Sequence, residues 1–391
     1  MLYLKLVNAK KIKFYFLTES LCIVLFDKTG RKSFQFQRIP YFKGEFSQNI
    51  DEAKFREIGI SEIQGLYKLY GNKENNWILL NTEQDLKILS KILTKKTAVR
   101  DIAYKFMQGI ATSCDDLYFA EIIRENPDSF DLKFNYPSGS ETVITGMEKR
   151  YFKRLLKGRD VHRYEELNSN TCVFFPYSID RSEHPCKAEL AEIEELKRYP
   201  KTYEYVVRFK SDFENREKGS LKGAPDFYKY VYPKNLCDFE QEKLMSMEIC
   251  ACGEANFAID RNGFYCTSTV YSLVKTTDCK YSYECLLGIL NSSLFWWFLR
   301  HTGDVLAENT IRVKTNYVYP FRLPDWSQNF DDTVSSLVRQ RIRGNKDAER
   351  QIDLLITEAY GLSRDEACIV CPKLKSCCSD AENLLASANK S

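Results

Sequence analysis

The chain has 391 residues, of which 44% are hydrophobic and 28% are charged, and its formal net charge is +3. This length and balance are typical of a folded protein with two or three domains, and they exclude a disordered chain. Because the net charge is so small, any basic surface that binds an acidic partner must be local.

Two strands are predicted within residues 14–39. The run "SLCIVLF" is apolar on both faces, "DKTG" supplies turn residues, and "SFQFQRI" alternates apolar with polar residues. An isolated hairpin is marginally stable in water. We therefore expect this hairpin to be the edge of a larger sheet whose other strands lie outside the chain.

Residues 50–108 are predicted to be largely helical. In "TEQDLKILSKILTKK", residues 82–96, Thr82 is a candidate N-cap, and an apolar stripe follows it. The stripe consists of Leu86, Ile88, Leu89, Ile92 and Leu93.

Short strands and helices alternate in the middle of the chain, residues 109–325, and helices follow. The predicted strands are 172–178, 256–260, 264–274 and 311–321. From Thr333 the apolar spacing is helical again, with Ile352, Leu355, Ile356 and Ala359 on one face. Gly361 is predicted to end that helix, and "SRDE", residues 363–366, is a capping box that begins another. The overall expectation is an α+β protein.

The most apolar stretch, "LLGILNSSLFWWFLRHTG", runs from Leu286 to Gly303. A membrane span needs about 20 consecutive apolar residues. Asn291 interrupts this run early, and Arg300 with His301 closes it. The pattern predicts a buried helix rather than a membrane segment. Together with a lysine-rich start that does not resemble an export signal, it predicts a cytoplasmic protein.

The 14 cysteines are scattered and are predicted to be reduced thiols. Two clusters have the composition of a metal site: Cys250 with Cys252, and the group Cys368, Cys371, Cys377 and Cys378. An adjacent cysteine pair fits tetrahedral zinc poorly, and the three histidines lie far away in sequence. We therefore predict no metal site.

Several catalytic motifs are absent from the sequence. It contains no glycine-rich phosphate loop, no G-x-S-x-G elbow and no H-E-x-x-H motif. The stretch "PDSFDLK", residues 127–133, has the residue types of a metal-dependent nuclease but crowds them too closely. No catalytic residues are predicted.

Three basic sets with aromatic neighbours indicate a nucleic-acid surface. In "EKRYFKRLLKGRDVHRY", residues 148–164, the lysines are four residues apart, which predicts a helix with a basic side, and Gly158 ends it in a turn that presents an arginine. The second set lies in residues 199–216 and the third in residues 311–317. The predicted DNA-binding residues are Lys149, Lys153, Lys157, Arg159, Asp160, Arg163, Tyr164, Arg208, Arg216, Arg312 and Lys314.

From about residue 100 to 325, and in its helical tail, the chain resembles the TaqI-like C-terminal specificity domain of DNA restriction–modification enzymes. The motifs come in the order of the family. "GIATSCDDLYF" resembles its opening G-I-x-T segment, and "LLKGRDVHRY" resembles its L-K-G-R-D-I-x-R-Y signature. "YPKTYEYVVRFKSDFENR", "LLGILNSSLFWWFLR" and "RVKTNYVYPFRLP" resemble the helices and the closing strand that follow.

The resemblance implies four segments. Residues 1–45 are expected to be the terminal hairpin of an adenine-specific (N6) methyltransferase sheet, 46–100 a helical linker, 101–325 the specificity domain, and 326–391 C-terminal helices with a polar tail. The S-adenosylmethionine loop and the N-P-P-Y-type motif of such methyltransferases are missing. No cofactor is therefore expected in this chain, and S-adenosylmethionine is expected in the missing methyltransferase portion.

Three functions follow as alternatives. The first is a module that recognises a DNA sequence and directs an adenine-specific methyltransferase, with or without a nuclease, to its site. Its partners would be double-stranded DNA and a methyltransferase chain that completes the N-terminal sheet. The second is a catalytically active methyltransferase or type II restriction enzyme, and the third is an inactive gene fragment.

Overall fold

The structure is a computed structural model. It describes the backbone of residues 11–17, 20–26, 33–39 and 56–59, and residues 80, 82–135, 141–182, 186–307 and 309–374. Helices and strands are both present, and the strands form several small sheets, which confirms the predicted α+β class.

The described residues contain strands throughout the first four-fifths of the chain. The strands are β1 (Lys11–Leu17), β2 (Ser20–Phe26), β3 (Ser33–Ile39), β4 (Arg56–Gly59), β5 (Ala103–Gln108), β6 (Phe119–Glu125), β7 (Ser129–Asn135), β8 (Glu141–Glu148), β9 (Phe152–Leu156), β10 (Thr171–Phe174), β11 (Tyr177–Asp180), β12 (Lys187–Leu190), β13 (Lys243–Met247), β14 (Ile249–Cys250), β15 (Phe257–Asp260), β16 (Tyr265–Cys266), β17 (Val270–Lys275), β18 (Asp304–Ala307) and β19 (Thr310–Arg312).

Helices are concentrated in the C-terminal third. The α-helices are α1 (Glu83–Leu93), α2 (Val99–Ile102), α3 (Asp115–Tyr118), α4 (Ile193–Leu196), α5 (Pro200–Arg208), α6 (Lys210–Glu214), α7 (Arg216–Gly219), α8 (Tyr283–Leu290), α9 (Ser293–Thr302), α10 (Thr315–Val318), α11 (Gln328–Ile342), α12 (Asp347–Ala359) and α13 (Arg364–Val370). Short 3-10 helices occur at Lys149–Tyr151, Gly158–Asp160 and Pro372–Leu374.

The predicted N-terminal pair of strands is confirmed. Strands β2 and β3 pair antiparallel, with Ile23 opposite Gln37. The pair is extended on one side by β1 and on the other by β4, which gives a sheet in the order β1-β2-β3-β4. Strand β4 lies within the segment predicted to be helical, so that part of the prediction is wrong. The origin of this sheet in a methyltransferase stays a prediction.

The chain divides into two compact units. The first unit contains Met1–Ala103, Glu248–Phe257 and Lys275–Ser391, and the second contains Tyr104–Met247 and Ala258–Val274.

Two sheets form the frame of the second unit. One has six strands in the order β16-β9-β10-β6-β7-β8, antiparallel except that β16 pairs parallel with β9. The other has four strands in the order β15-β13-β17-β5. One end residue each of β15, β17 and β5 (Phe257, Lys275 and Ala103) belongs to the first unit. Buried aromatic rings fill the core. The rings of Phe134 and Tyr205 stack with their centroids 4.7 Å apart, and those of Phe175 and Tyr265 pack edge to face with their centroids 4.8 Å apart. Such packing contributes much of the stability of a small sheet domain.

A buried ion pair lies within the second sheet. Lys243 Nζ donates to the carboxylate of Asp260, and both side chains are fully buried. Asp260 also accepts from the amides of Asn262 at 2.9 Å and Phe264 at 2.8 Å. These bonds satisfy the buried charges and fix the short loop that leads from β15 to β16.

The segment that carries the first basic set is not a helix, and this corrects the prediction. Residues 152–156 form β9, which pairs with β10 through Arg154 opposite Cys172 and with β16 through Leu155 opposite Tyr265. Leu155 and Leu156 are adjacent and both fully buried. Adjacent buried residues are typical of a strand covered on both faces. Sheet partners distant in sequence thus outweigh the four-residue spacing of the lysines.

In the first unit, the apolar stretch is buried as predicted from Leu286 to Leu299, apart from the half-buried Ser293. It forms two helices, α8 and α9, rather than one. Asn291, at the break, donates to the carbonyl of Phe257 at 2.9 Å and accepts from its amide at 2.8 Å. Ser292 then caps α9 by accepting from Phe295 at 3.1 Å. Within the described residues, no helix is both long enough and apolar enough to cross a bilayer.

The predicted helix signals of the first unit are confirmed. Thr82 caps α1 by accepting from Asp85 at 3.0 Å. Gly361 has φ +66 and ends the turn after α12, and Ser363 forms the expected capping box with Glu366. Helix α8 packs closely on α11, because a Cβ built at Gly288 would lie 2.7 Å from Val334 Cγ1.

Candidate nucleic-acid interface

A short turn follows β9 after Lys157. It consists of Gly158, Arg159 and Asp160, which we call the GRD turn. Asp160 closes it, because its Oδ2 accepts from the amide of Lys157 at 2.7 Å. Arg159 stands out from this turn with 78% of its side chain exposed, and its Nε lies 3.9 Å from Asp160 Oδ1. The turn that the sequence predicts at Gly158 is therefore confirmed, and it presents a guanidinium to solvent.

Two further segments end at the same edge of the sheet as the GRD turn. Strand β16 runs parallel to β9 and is followed by a turn from Thr267 to Val270. The segment 109–111 joins β16 by a parallel bridge between Ile110 and Thr267, and Tyr232 joins it on its far side through Ala111. Parallel segments end at a common edge, and in open α/β sheets ligands bind outside the carboxyl ends of the parallel strands. We call this region of the second unit the carboxyl edge.

Gly109 allows the segments of the carboxyl edge to pack against each other. Its amide donates to Val270 O at 3.1 Å, and the amide of Ile110 donates to Cys266 O at 2.7 Å. A Cβ at residue 109 would overlap the carbonyl oxygens of Cys266 and Thr267. Only glycine therefore fits at the start of the "GIATS" segment.

Exposed residues, most of them polar, lie in or next to the segments of the carboxyl edge. They are Ala111, Ser113, Arg159, His162, Tyr232, Lys234 and Thr269. Lys157 is half-buried, and its Nζ lies 5.9 Å above the ring of Phe119. This surface combines hydroxyl groups, an aromatic ring and cations, a composition that suits a nucleic acid.

Arg216 is buried, and this corrects its predicted place on a DNA-binding surface. Only 5% of it is exposed. Its guanidinium donates to four carbonyl oxygens, those of Phe213 at 2.9 Å, Thr112 at 3.1 Å, Phe227 at 2.7 Å and Lys229 at 2.8 Å. A buried guanidinium needs such partners. Arg216 thus ties the end of the 109–112 segment to the chain around Lys229.

Three further predicted DNA contacts, Tyr164, Asp160 and Arg163, lie in or just after the GRD turn. Tyr164 is buried with 1% exposure and adopts φ +58, so its ring is not available to DNA, which corrects that prediction. Asp160 is engaged in closing the GRD turn. Arg163 is half-buried and its guanidinium lies 4.8 Å from the ring of Tyr164. A role of Arg163 in DNA binding stays a prediction.

Two of the lysines before the GRD turn, Lys149 and Lys153, are paired with acids. Lys149 Nζ lies 2.7 Å from Glu125 Oε1, and Arg154 pairs with the other oxygen of the same carboxylate. The hydrogen bond from Lys149, together with the charge of Arg154, lowers the pKa of Glu125. Lys153 lies 3.2 Å from Glu240. The charges of these cations are partly neutralised by the neighbouring carboxylates, whereas the side chain of Arg159 projects into solvent.

The second and third basic sets do not form continuous basic surfaces. Arg208 is exposed and lies over the ring of Phe209 at 5.3 Å, and Lys210 pairs with Glu214 at 3.7 Å. In the first unit, Arg312 lies 3.7 Å from both Glu248 and Asp304.

The predicted strand 311–321 is limited to β19. Lys314 is instead the N-cap residue that precedes helix α10.

The described residues contain no group of three His, Cys, Asp or Glu side chains that could hold a metal ion. Cys377 and Cys378 of the predicted cysteine cluster lie outside the described residues.

Sequence reasoning missed Thr269 and Gln108. Thr269 accepts from the amide of Gly158 at 3.0 Å, and Gln108 donates to Ser268 O at 2.6 Å. The run "TSTV" after a strand is a turn signal, but its contact with the GRD turn, 111 residues earlier, has no local signature.

The motifs agree with a known protein family over part of the chain. No curated protein matches the chain. Among solved structures, the chain is similar to the Type IIL restriction-modification enzyme MmeI, determined in complex with DNA, with 12% identity and a TM-score of 0.44. That match covers 73% of this chain and 37% of the other. Residues 153–323, which include the GRD turn, match the family model of the TaqI-like C-terminal specificity domain, and to that extent the predicted resemblance is confirmed.

Proposed function

We propose that the chain is the DNA-recognition module of a restriction–modification system and that the carboxyl edge of its second unit binds double-stranded DNA. The observation that carries the proposal is the GRD turn. It lies in the region that matches the specificity-domain family, and it holds an exposed arginine on a closed backbone turn.

Arg159 is the residue proposed to read a base. A guanidinium can donate two hydrogen bonds to the major-groove edge of guanine, and such a bidentate contact contributes about 1–3 kcal/mol of discrimination. Lys157 and Lys234, near the same edge, are proposed to contact phosphates, which adds affinity without sequence information. Arg208, Arg312 and Lys314 remain proposed phosphate contacts that contribute less to the affinity.

We propose further that the module directs an adenine-specific DNA methyltransferase. This rests on the order of the motifs and on the resemblance of the N-terminal strands to a methyltransferase sheet. The sequence lacks the motifs that bind S-adenosylmethionine and hold a flipped adenine. The cofactor and the chemistry would then belong to a methyltransferase portion, and this chain would contribute the choice of site.

The experiment is a selection of binding sites. The purified chain is mixed with double-stranded DNA containing a randomised central segment, and bound DNA is recovered and sequenced over several rounds. We expect a defined site to be enriched. Arg159→Ala should relax the preference at one base pair by about 1–3 kcal/mol, measured by titration of single-base variants of the site.

A matched control separates base reading from general charge. Arg261 has 51% of its side chain exposed and belongs to the same unit, but it precedes β16 and so lies at the opposite end of that strand from the carboxyl edge. Arg261→Ala should leave the selected site unchanged. Recovery of only random sequence by the wild-type chain would refute the proposed function, and methyl transfer from labelled S-adenosylmethionine to DNA by this chain alone would refute the division of labour.

A further inference from the structure

A second turn supports the GRD turn. The Thr267–Val270 turn, between β16 and β17, is closed by the Val270 amide, which donates to Thr267 O at 3.0 Å. Thr269 lies at its exposed tip. We propose that Thr269 is a positioning residue that fixes the GRD turn and thereby the base specificity of Arg159; this inference rests on the proposed function.

The contact between the two turns is direct. The Gly158 amide donates to Thr269 Oγ1 at 3.0 Å, and Thr269 Oγ1 lies 2.7 Å from Thr267 Oγ1. A hydroxyl group can take part in both interactions, since it has one donor and two acceptor lone pairs. Gly158 packs closely here, because a Cβ at this position would lie 3.2 Å from the same hydroxyl oxygen.

The supporting turn is itself held by a third segment. Gln108 Nε2 donates to Ser268 O at 2.6 Å, and the Ile110 amide donates to Cys266 O at 2.7 Å. The hydroxyl of Thr269 therefore has a fixed position before any ligand arrives. Arg159 is then placed by three segments that are distant in sequence, rather than by its own turn alone.

This arrangement separates specificity from affinity. If the Thr269 hydroxyl is removed, Arg159 keeps its charge and its attraction to phosphates. A bidentate contact with a base, in contrast, requires the guanidinium to have a defined position and angle. A GRD turn that has lost its hydrogen bond to residue 269 does not fix that geometry. Loss of the hydroxyl should therefore reduce discrimination between sites while the salt dependence of binding stays the same.

The test uses the full chain and three variants. Thr269→Val removes the hydroxyl and keeps the shape of the side chain, and Thr269→Ser keeps the hydroxyl and removes the methyl group. Thr142→Val, at a half-buried position of the edge strand β8, is the control for replacing a hydroxyl by a methyl group. Each protein is melted, its hydrogen exchange at the Gly158 amide is followed by NMR, and its affinity for the selected site and for single-base variants is titrated at several salt concentrations.

We expect Thr269→Val to speed exchange of the Gly158 amide by about tenfold, since the amide loses its acceptor. Discrimination at the base pair read by Arg159 should fall by about tenfold, with an unchanged salt slope. Thr269→Ser and Thr142→Val should behave as the wild type does.

The outcomes distinguish this inference from the proposed function. Wild-type discrimination by Thr269→Val, or unchanged exchange at Gly158, would overturn the inference and leave the proposed function standing. If the wild-type chain selects no DNA site, the proposed function fails and the specificity role fails with it. The exchange measurement then still decides whether Thr269 holds the GRD turn.

Discussion

Gly109 lies directly against Cys266, so that a methyl group on Gly109 would overlap the Cys266 carbonyl oxygen. Both residues belong to the second unit, and the contact joins the start of the 109–111 segment to β16. Because the overlapping atom is a backbone oxygen, the neighbour cannot move aside by changing a rotamer.

Gly109→Ala should therefore destabilise the second unit by about 1–3 kcal/mol, the usual cost of overpacking a close contact. The measurement is chemical denaturation of the full chain, followed by the fluorescence of buried aromatic residues. Ala111→Ser, at an exposed position two residues further on, is the control and should change the free energy of unfolding by less than about 0.5 kcal/mol. Equal stability of Gly109→Ala and the wild type would show that the segments are not packed as described.

A second prediction concerns Arg216, which the sequence placed on the DNA surface and the structure places in the interior. Arg216→Met would leave four buried carbonyl oxygens without their donor. Since hydrogen bonds to a charged group contribute about 1.5–3 kcal/mol each, although not additively, a loss of at least ~3 kcal/mol is expected. The exposed Arg208→Met is the matched control. If Arg216 contacted DNA directly, Arg216→Met would instead have a normal melting temperature and would bind DNA more weakly.

The lysines before the GRD turn give a third prediction. Each phosphate contact lowers the slope of log affinity against log salt concentration by about 0.9. Lys157→Ala should make the slope shallower by about this amount. Lys149→Ala should change it by less than half as much, because Lys149 is paired with Glu125 and would have to leave that carboxylate to bind a phosphate. Lys197→Ala, which removes a lysine paired with Glu194, is the control. Equal changes of the salt slope in Lys149→Ala and Lys157→Ala would contradict the expectation that the ion pair with Glu125 keeps Lys149 from binding a phosphate.

The cysteines give a fourth prediction. Burial raises the pKa of the Cys266 thiol to about 11, so at pH 8 only about one thiol in a thousand is a thiolate. Cys252 is exposed. Iodoacetamide at pH 8 should therefore modify Cys252 quickly and Cys266 hardly at all, as measured by mass spectrometry of peptides. Both should react after denaturation, and equal rates in the folded protein would contradict the burial of Cys266.

Signals within one element could be predicted from the sequence. The cap at Thr82, the turn at Gly158 and the capping box at Ser363 each depend on neighbours within a few residues, and all three are present. The family motifs likewise pointed to the region that holds the candidate site.

Features that depend on distant partners could not be predicted. The lysines at 149, 153 and 157 have helical spacing, but β9 is a strand because β10 and β16 pair with it on both sides. Arg216 looks like a surface cation in its own segment, and only the fold brings Thr112 and Lys229 to it. The support of Gly158 by Thr269 joins residues that are 111 positions apart, so no local pattern could indicate it.

The last prediction concerns the two tryptophans of α9. Adjacent residues on a helix point about 100° apart, so the sequence predicts that only one of them is central and the other lies at the margin of the core. The structure instead leaves 7% of Trp296 and 6% of Trp297 exposed, whereas Phe295 and Phe298 are fully buried. Trp297 also stacks on His301, with ring centroids 4.0 Å apart.

Both tryptophans are therefore largely buried in the first unit. Trp296→Ala and Trp297→Ala should each cost about 3–5 kcal/mol, in the range of large-to-small substitutions of buried aromatic residues. A loss of that size is a large part of the stability of a domain. Stacking on bases is the alternative use of such rings and predicts normal melting with weaker binding to unpaired DNA. Thermal melts with and without DNA decide between the two, and alanine variants that are fully stable but deficient in DNA binding would refute the core role.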